Sequence, residues 1–103
     1  MKTTTYPSRV GETPIGLGLF AEEILEEDSI VEKLEGRVVP HSKIPERDIR
    51  QAFEVGDDKW IVPQSNARHI NHSCDPNCYI NDNLDVVVLR KVYEGEELTI
   101  MYN

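Results

Sequence analysis

The hydrophobic residues of this chain come in short runs broken by glycine, proline, asparagine and acids, with few stripes of helical period. Such spacing predicts short strands bounded by turns. Residues 6–10 read as a first strand and residues 18–21 as a second, opened by glycines. Residues 29–39 alternate in their first half, with Gly36 marking a bend or bulge. Residues 60–62 form a short strand stopped by Pro63. The valine-rich run 84–89 is the clearest strand, and Asn81-Asp82-Asn83 before it reads as a hairpin turn. Residues 98–102 form the last strand. Helix is scarce. Residues 45–52 support two turns, with Pro45 in the first turn and acids near the start. The glutamates after Ala21 read as a solvated turn leading to Asp28, anchored by Ile24 and Leu25. The pattern predicts a mostly β domain.

Length and charge narrow the partners. A chain of 103 residues with 39% hydrophobic content reads as one domain, 1–103, with a modest core. Acidic residues outnumber basic ones 19 to 11, for a net charge of −8. That balance argues against direct nucleic-acid binding, which wants a basic stripe. It suits a basic partner, although acidity also serves solubility alone. No apolar run is long enough to span a bilayer, and residues 1–5 lack the apolar core of a signal peptide. The expectation is a soluble, intracellular protein with no membrane partner.

Residues 68–78, Arg-His-Ile-Asn-His-Ser-Cys-Asp-Pro-Asn-Cys, concentrate turn chemistry. Asn71, Ser73, Asp75 and Asn77 can each bond nearby backbone, and Pro76 fixes a dihedral. Such a run shapes either a site or a plain surface turn. His69, His72, Cys74 and Cys78 also form a potential metal cluster. Structural zinc usually draws ligand pairs from separated segments, and four ligands packed this closely would enclose almost nothing. Metal is therefore not expected. With two cysteines and no secretory signal, neither is a disulfide framework.

A second run, Gly95-Glu96-Glu97-Leu98-Thr99-Ile100-Met101-Tyr102, and a third, Ile15-Gly16-Leu17-Gly18-Leu19-Phe20-Ala21, complete the picture. In order, the three resemble the motifs of the SET domain family of protein-lysine methyltransferases. They span residues 15–102. The resemblance implies a β-clip of several small sheets with a C-terminal pseudoknot, and a short variable insert at about 37–58 that helps shape the substrate groove.

The resemblance also implies a cofactor and a reaction. S-adenosylmethionine would donate a methyl group to the side-chain amine of a lysine in a basic protein or peptide, with histone tails one candidate class, leaving S-adenosylhomocysteine. Cofactor-binding residues would be Gly16, Leu17, Gly18, Arg68, Asn71 and His72. Gly16 and Gly18 lack a Cβ and let backbone approach a ligand. Asn71 would bond the methionine end of the cofactor. His72 would serve through its backbone and packing, not as a general base. Arg68 and Ser73 would mainly hold the loop. Tyr102 would be the catalytic residue, and Ile100 would line the lysine channel beside it.

Departures from the family pattern raise an alternative. His69 replaces a common aromatic, Ile100 and Met101 replace an aromatic and an aspartate, and Trp60 stands where tyrosine is frequent. The sequence ends one residue after Tyr102, without the cysteine-rich segment in which many relatives hold zinc. A homodimer could supply the missing channel wall. The alternative is a catalytically inactive SET-like interaction module.

Overall fold

The computed structural model describes residues 5–101. Among the described residues there are ten strands. They are Ser8–Thr13 (β1), Gly16–Ala21 (β2), Ile30–Lys33 (β3), Val38–Val39 (β4), Phe53–Gly56 (β5), Lys59–Ile61 (β6), Asn71–His72 (β7), Cys78–Ile80 (β8), Asp85–Val88 (β9) and Glu97–Ile100 (β10). Short 3-10 helices cover His41–Lys43, Glu46–Gln51 and Asn66–His69. The strands make three small sheets, ordered β1-β2-β10-β7, β3-β9-β8 and β4-β6-β5. No helix among the described residues is long and apolar enough to cross a membrane.

The β1–β2 hairpin shows how side chains set register. Thr13 Oγ1 donates to the Gly16 carbonyl at 2.8 Å and accepts from the Ile15 amide at 3.2 Å. Gly16 takes φ +125°, a conformation glycine adopts without steric penalty. The turn therefore closes at Pro14-Ile15, and β1 covers Ser8–Thr13 where the apolar pattern points to 6–10. Facing it, Leu19 and Ala21 of β2 are fully buried.

The core is filled from all three sheets, by Leu19, Val31, Ile61, Val86, Val88 and Leu98, with Leu25, Ile70 and Val92 from the connections. Every residue of β9 is buried, as expected of a strand covered on both faces. Its polar first residue, Asp85, is paired with Lys33 Nζ at 2.7 Å. Leu84, counted in the strand on pattern, instead has φ 63° and belongs to the turn. Asn81 Oδ1 builds that turn by accepting the Asn83 and Asp85 amides, both at 2.9 Å. Gly36 does separate two strands, β3 and β4. A Cβ there would lie 2.7 Å from the Val62 carbonyl.

Elsewhere the structure departs from the pattern. Leu25 is the buried anchor after β2, whereas Ile24 is exposed. The predicted two-turn helix is the 3-10 helix Glu46–Gln51, with Pro45 as its cap and no buried residue. Six residues without an apolar stripe give an α-helix little to gain by packing. Strands β5, whose alternation covers only Phe53-Glu54-Val55-Gly56, and β8, three residues long, appear in addition.

The last strand is held on both edges. It pairs antiparallel with β2 through Glu97↔Phe20 and Leu98↔Leu19, and parallel with β7 through Thr99↔Asn71 and Ile100↔His72. The Ser73 amide then donates to the Ile100 carbonyl at 2.9 Å. Farther along the same loop, Asn77 donates from Nδ2 to the Glu97 carbonyl at 2.8 Å and accepts the Thr99 amide on Oδ1 at 2.9 Å. Residues 71–77 thus clasp β10, which is the threaded C-terminal arrangement expected.

Candidate active site

Asn71 stands where three strands meet. The 3-10 helix before it is capped by Ser65, whose Oγ accepts the Ala67 amide at 3.4 Å. Ala67 and Ile70 are buried beneath it and fix the loop to the core. From that position Asn71 Nδ2 donates to the Leu17 carbonyl at 3.1 Å and to Glu97 Oε2 at 2.8 Å. One amide group ties β2, β7 and β10 together. Its Oδ1 makes no hydrogen bond among the described residues.

The two candidate glycines have different reasons to be glycine. A Cβ on Gly18 would meet Glu97 Oε2 at 2.6 Å, Thr13 Cγ2 at 2.9 Å and Asn71 Nδ2 at 3.2 Å. Its missing side chain makes room for the Asn71–Glu97 bond. Nothing lies within 4 Å of a Cβ on Gly16, so its positive φ is the constraint there.

Leu17, Arg68 and Asn71, expected together, border one cleft of about 360 Å³. His69 and Ile70 complete that side. Arg50 and Gln51, from the 3-10 helix Glu46–Gln51, border it too. Arg68 Nη2 donates to Gln51 Oε1 at 2.7 Å, which links the 3-10 helices Glu46–Gln51 and Asn66–His69. His72 follows Asn71 in β7, with its Nε2 3.5 Å from Cys74 Sγ.

Ile100 is buried and borders a second, larger cleft of about 530 Å³. Ile49, Phe53, Trp60, Ile80 and Leu89 line it together with the charged Arg50 and Glu54. Trp60 packs edge-on against His41 with ring centroids 4.9 Å apart, and its buried Nε1 has no hydrogen-bond partner. Beside this cleft, and sharing Glu54 and Ile80 with it, is a polar one of about 380 Å³ that adds Asp82. Arg50 borders both the 360 Å³ and the 530 Å³ clefts. Tyr102 lies outside the described residues.

Among the described residues no group of three or more histidine, cysteine or acidic side chains is placed to hold a metal ion. Cys74 is exposed and Cys78 buried, and both are free thiols. Burial pushes the Cys78 thiol up to about 12, against an opposing pull from Arg90, so it is neutral at physiological pH.

Three contributors carry no motif or were not singled out. Arg50 and Gln51 come from an unpatterned stretch in the insert, so nothing in the sequence marked them. Glu97 lies inside the Gly-Glu-Glu-Leu-Thr run, which was its available signal.

Comparison with known proteins gives a consistent picture. The sequence model of the SET domain matches residues 16–103. The H3 lysine-36-specific histone-lysine N-methyltransferase of Schizosaccharomyces pombe is 32% identical over 108 residues, covering 85% of this chain and 13% of that protein. Human histone-lysine N-methyltransferase 2D is 31% identical over 105 residues, covering 84% of this chain and 2% of the relative. The chain therefore spans a small part of these relatives' length. A crystal structure of a Plasmodium falciparum protein, described as a candidate histone methyltransferase, matches with a TM-score of 0.78 at 22% identity, covering 97% of this chain and 96% of that one. The fold is common to both. With its motifs in order, its last strand clasped and its length matched almost throughout, this chain belongs to the SET domain family.

Proposed function

We propose that this chain is a protein-lysine N-methyltransferase that uses S-adenosylmethionine and acts on a lysine in a basic protein or peptide, histone tails being one candidate class. The observation that carries this reading is the pairing of β7 with β10. It sets Asn71, on one cleft, a single residue step from the Ile100 pair that borders the other.

The donor set of the 360 Å³ cleft fits the cofactor. The Leu17 carbonyl and Asn71 Oδ1 are acceptors suited to an ammonium, and Arg50 and Arg68 suit a carboxylate. Leu17 and Ile70 add apolar surface. When bound, S-adenosylmethionine supplies an electrophilic methyl group on a sulfonium. Gly16, Gly18 and His72 do not border the cleft and are assigned supporting roles, through the backbone that flanks Leu17 and Asn71.

The substrate side follows from the 530 Å³ cleft. Strands β5 and β8 each lie at the edge of a three-stranded sheet, and both contribute to its wall. An extended peptide can add to such edges by main-chain hydrogen bonds. Glu54 and Asp82 at the adjoining polar end favour basic residues flanking the target. Presenting a lysine amine in its neutral form at pH 7 costs roughly 4.6 kcal/mol in water. Apolar walls such as Phe53 and Ile100 offset part of this by disfavouring the ammonium. Tyr102, two residues beyond Ile100, is assigned the role of orienting the amine with its phenol. Alignment of amine and methyl then carries most of the rate.

The test is calorimetric titration of S-adenosylmethionine into the protein and Asn71→Ala, followed by methyl transfer to basic lysine peptides with Tyr102→Phe as control. Micromolar binding lost in Asn71→Ala, and transfer lost in Tyr102→Phe, are expected. Binding without transfer to any lysine peptide overturns the enzyme reading in favour of an inactive module. No binding at millimolar cofactor overturns the cofactor assignment.

A further inference from the structure

Two large apolar side chains stand side by side on the surface, outside the three clefts. Beneath them Leu25 and Val92 form a β-bridge, each amide donating to the other's carbonyl, at 2.8 and 2.9 Å. Both of those side chains are fully buried. In an antiparallel pair the adjacent residues lie opposite one another and point to the other face. Here they are Ile24 and Tyr93, which are 53% and 57% exposed. Neither borders any of the clefts described above.

The charge around this pair selects what can cover it. Residues 22–27 and 91–94 hold five glutamates and one lysine, all exposed, for a net −4 of the chain's −8. A second copy, an anionic membrane or a nucleic acid would set like charge against like. A basic chain meets its opposite. The lysine of this face shows how a cation is held there. Lys91 Nζ lies 5.6 Å from the centroid of the Tyr93 ring and 3.8 Å from Glu26 Oε2. An arginine or lysine of a partner can make the same two kinds of contact, while its methylene stem covers Ile24.

We propose that Ile24 and Tyr93, with the glutamates around them, form a second docking surface for the protein substrate, taking a basic segment outside the stretch that carries the target lysine. This rests on the methyltransferase reading above and deepens it. The surface lies close enough to serve the same substrate. Leu89, which borders the 530 Å³ cleft, precedes Tyr93 by four residues, at most about 14 Å of extended chain. A substrate with its lysine in that cleft spans the gap with a few extended residues. Holding it at two places raises the effective concentration of the second contact without any new group in the cleft.

The experiment has two arms. The first is fluorescence anisotropy with a labelled peptide of alternating arginine and leucine, which contains no lysine and needs no methyl transfer. Ile24→Ser and Tyr93→Ser should each weaken its binding about fivefold, and Tyr93→Phe, which keeps the ring, should leave it within about twofold. Both side chains are exposed while Leu25 and Val92 fill the core, so these variants should fold, and melting curves check that directly. The second arm compares methyl transfer to intact core histones and to short peptides spanning each methylated lysine. Tyr93→Ser should raise KM about fivefold for the intact histone and leave kcat, and KM for the short peptide, unchanged. Unaltered probe binding in both serine variants, or no binding by the unmodified protein, overturns the docking surface and leaves the methyltransferase reading standing. An equal change in KM for intact and short substrates, or no change in either, overturns the assignment to the substrate. Probe binding that depends on Tyr93, with no transfer to any histone or peptide, overturns the methyltransferase reading and the substrate assignment with it.

Discussion

The side chain of Asn77 substitutes for a neighbouring strand along β10. Its Oδ1 accepts the Thr99 amide at 2.9 Å while its Nδ2 donates to the Glu97 carbonyl at 2.8 Å. A β-partner's backbone would satisfy the same kinds of groups. Asn77 is buried at 3% exposure, so nothing else competes for them. The parallel β7 pairing begins at Thr99, where the asparagine's contribution ends.

Removing that amide should therefore destabilise the whole C-terminal clasp. Asn77→Ala leaves a buried donor and a buried acceptor unpaired, for an expected loss of about 2–4 kcal/mol. Asn77→Asp keeps the acceptor for Thr99 but loses the donor, and sets a carboxylate near Glu96, whose Oε2 lies 3.3 Å from Asn77 Nδ2. It should also destabilise the protein, and less so at acid pH. Urea unfolding of the three proteins measures this. A loss under about 0.5 kcal/mol for Asn77→Ala would show that β10 does not depend on the contact.

Gly16 and Gly18 should separate in their effects. Gly18→Ala places a methyl group against Glu97 and Asn71, so it should cost about 1–3 kcal/mol and also weaken cofactor binding. Gly16→Ala meets no atom but must hold φ near +125°, so it should cost stability by about 1–2 kcal/mol while leaving cofactor affinity within about twofold. Melting temperature and cofactor titration of each variant decide the matter. Equal effects on affinity would mean that the Asn71–Glu97 contact is not what Gly18 protects.

Legibility in the sequence followed local physics. The run 84–89 announced β9 because a doubly covered strand needs an unbroken valine run, and the Gly36 bend was visible because glycine marks such positions. The start of β1 was not, because its bounds come from the Pro14-Ile15 turn and pairing with β2, which alternation does not encode. β5 and β8 are edge strands of four and three residues, too short for the alternation in Phe53-Glu54-Val55-Gly56 to stand out from its surroundings. At the site, Leu17, Arg68 and Asn71 meet across 54 positions of chain, a proximity only the motif resemblance could supply. Arg50 and Gln51 reach the same cleft from an unpatterned helix, where tertiary packing alone decides the neighbours.

Glu32 provides a pH test of the fold. Partial burial raises its carboxyl above the ordinary range, and Glu35 adds to this. The Ala67 amide and the Ser65 hydroxyl pull the other way without cancelling it. A carboxyl raised on folding contributes stability below its unfolded pKa, and that contribution is lost as pH rises through the raised folded value. Glu32→Gln should remove this loss. The variant should gain stability relative to the parent at pH 7, with the difference shrinking toward pH 4. Urea unfolding at both pH values reads it, and a variant that loses stability at pH 7 would show that the ionised carboxylate is favourable where it sits.

The two cysteines, four residues apart, should behave as different chemical groups. Cys74 is exposed, whereas Cys78 starts β8 at 1% exposure with its thiol pushed up to about 12. The thiolate is the reactive form, so at pH 8 Cys78 is both inaccessible and almost wholly protonated. Iodoacetamide should alkylate one cysteine in the native protein and two in urea, with peptide mass mapping placing the first label on Cys74. The raised thiol also sets a sign for alkaline stability. Its contribution is fully present below the unfolded thiol pKa, near 9, and is lost as pH rises toward 12. Cys78→Ala should lose stability at neutral pH by about 1–2 kcal/mol through the cavity it leaves, and its deficit should narrow above pH 9. Rapid native alkylation of Cys78 would mean that the segment between β7 and β8 opens readily, and with it the clasp on β10.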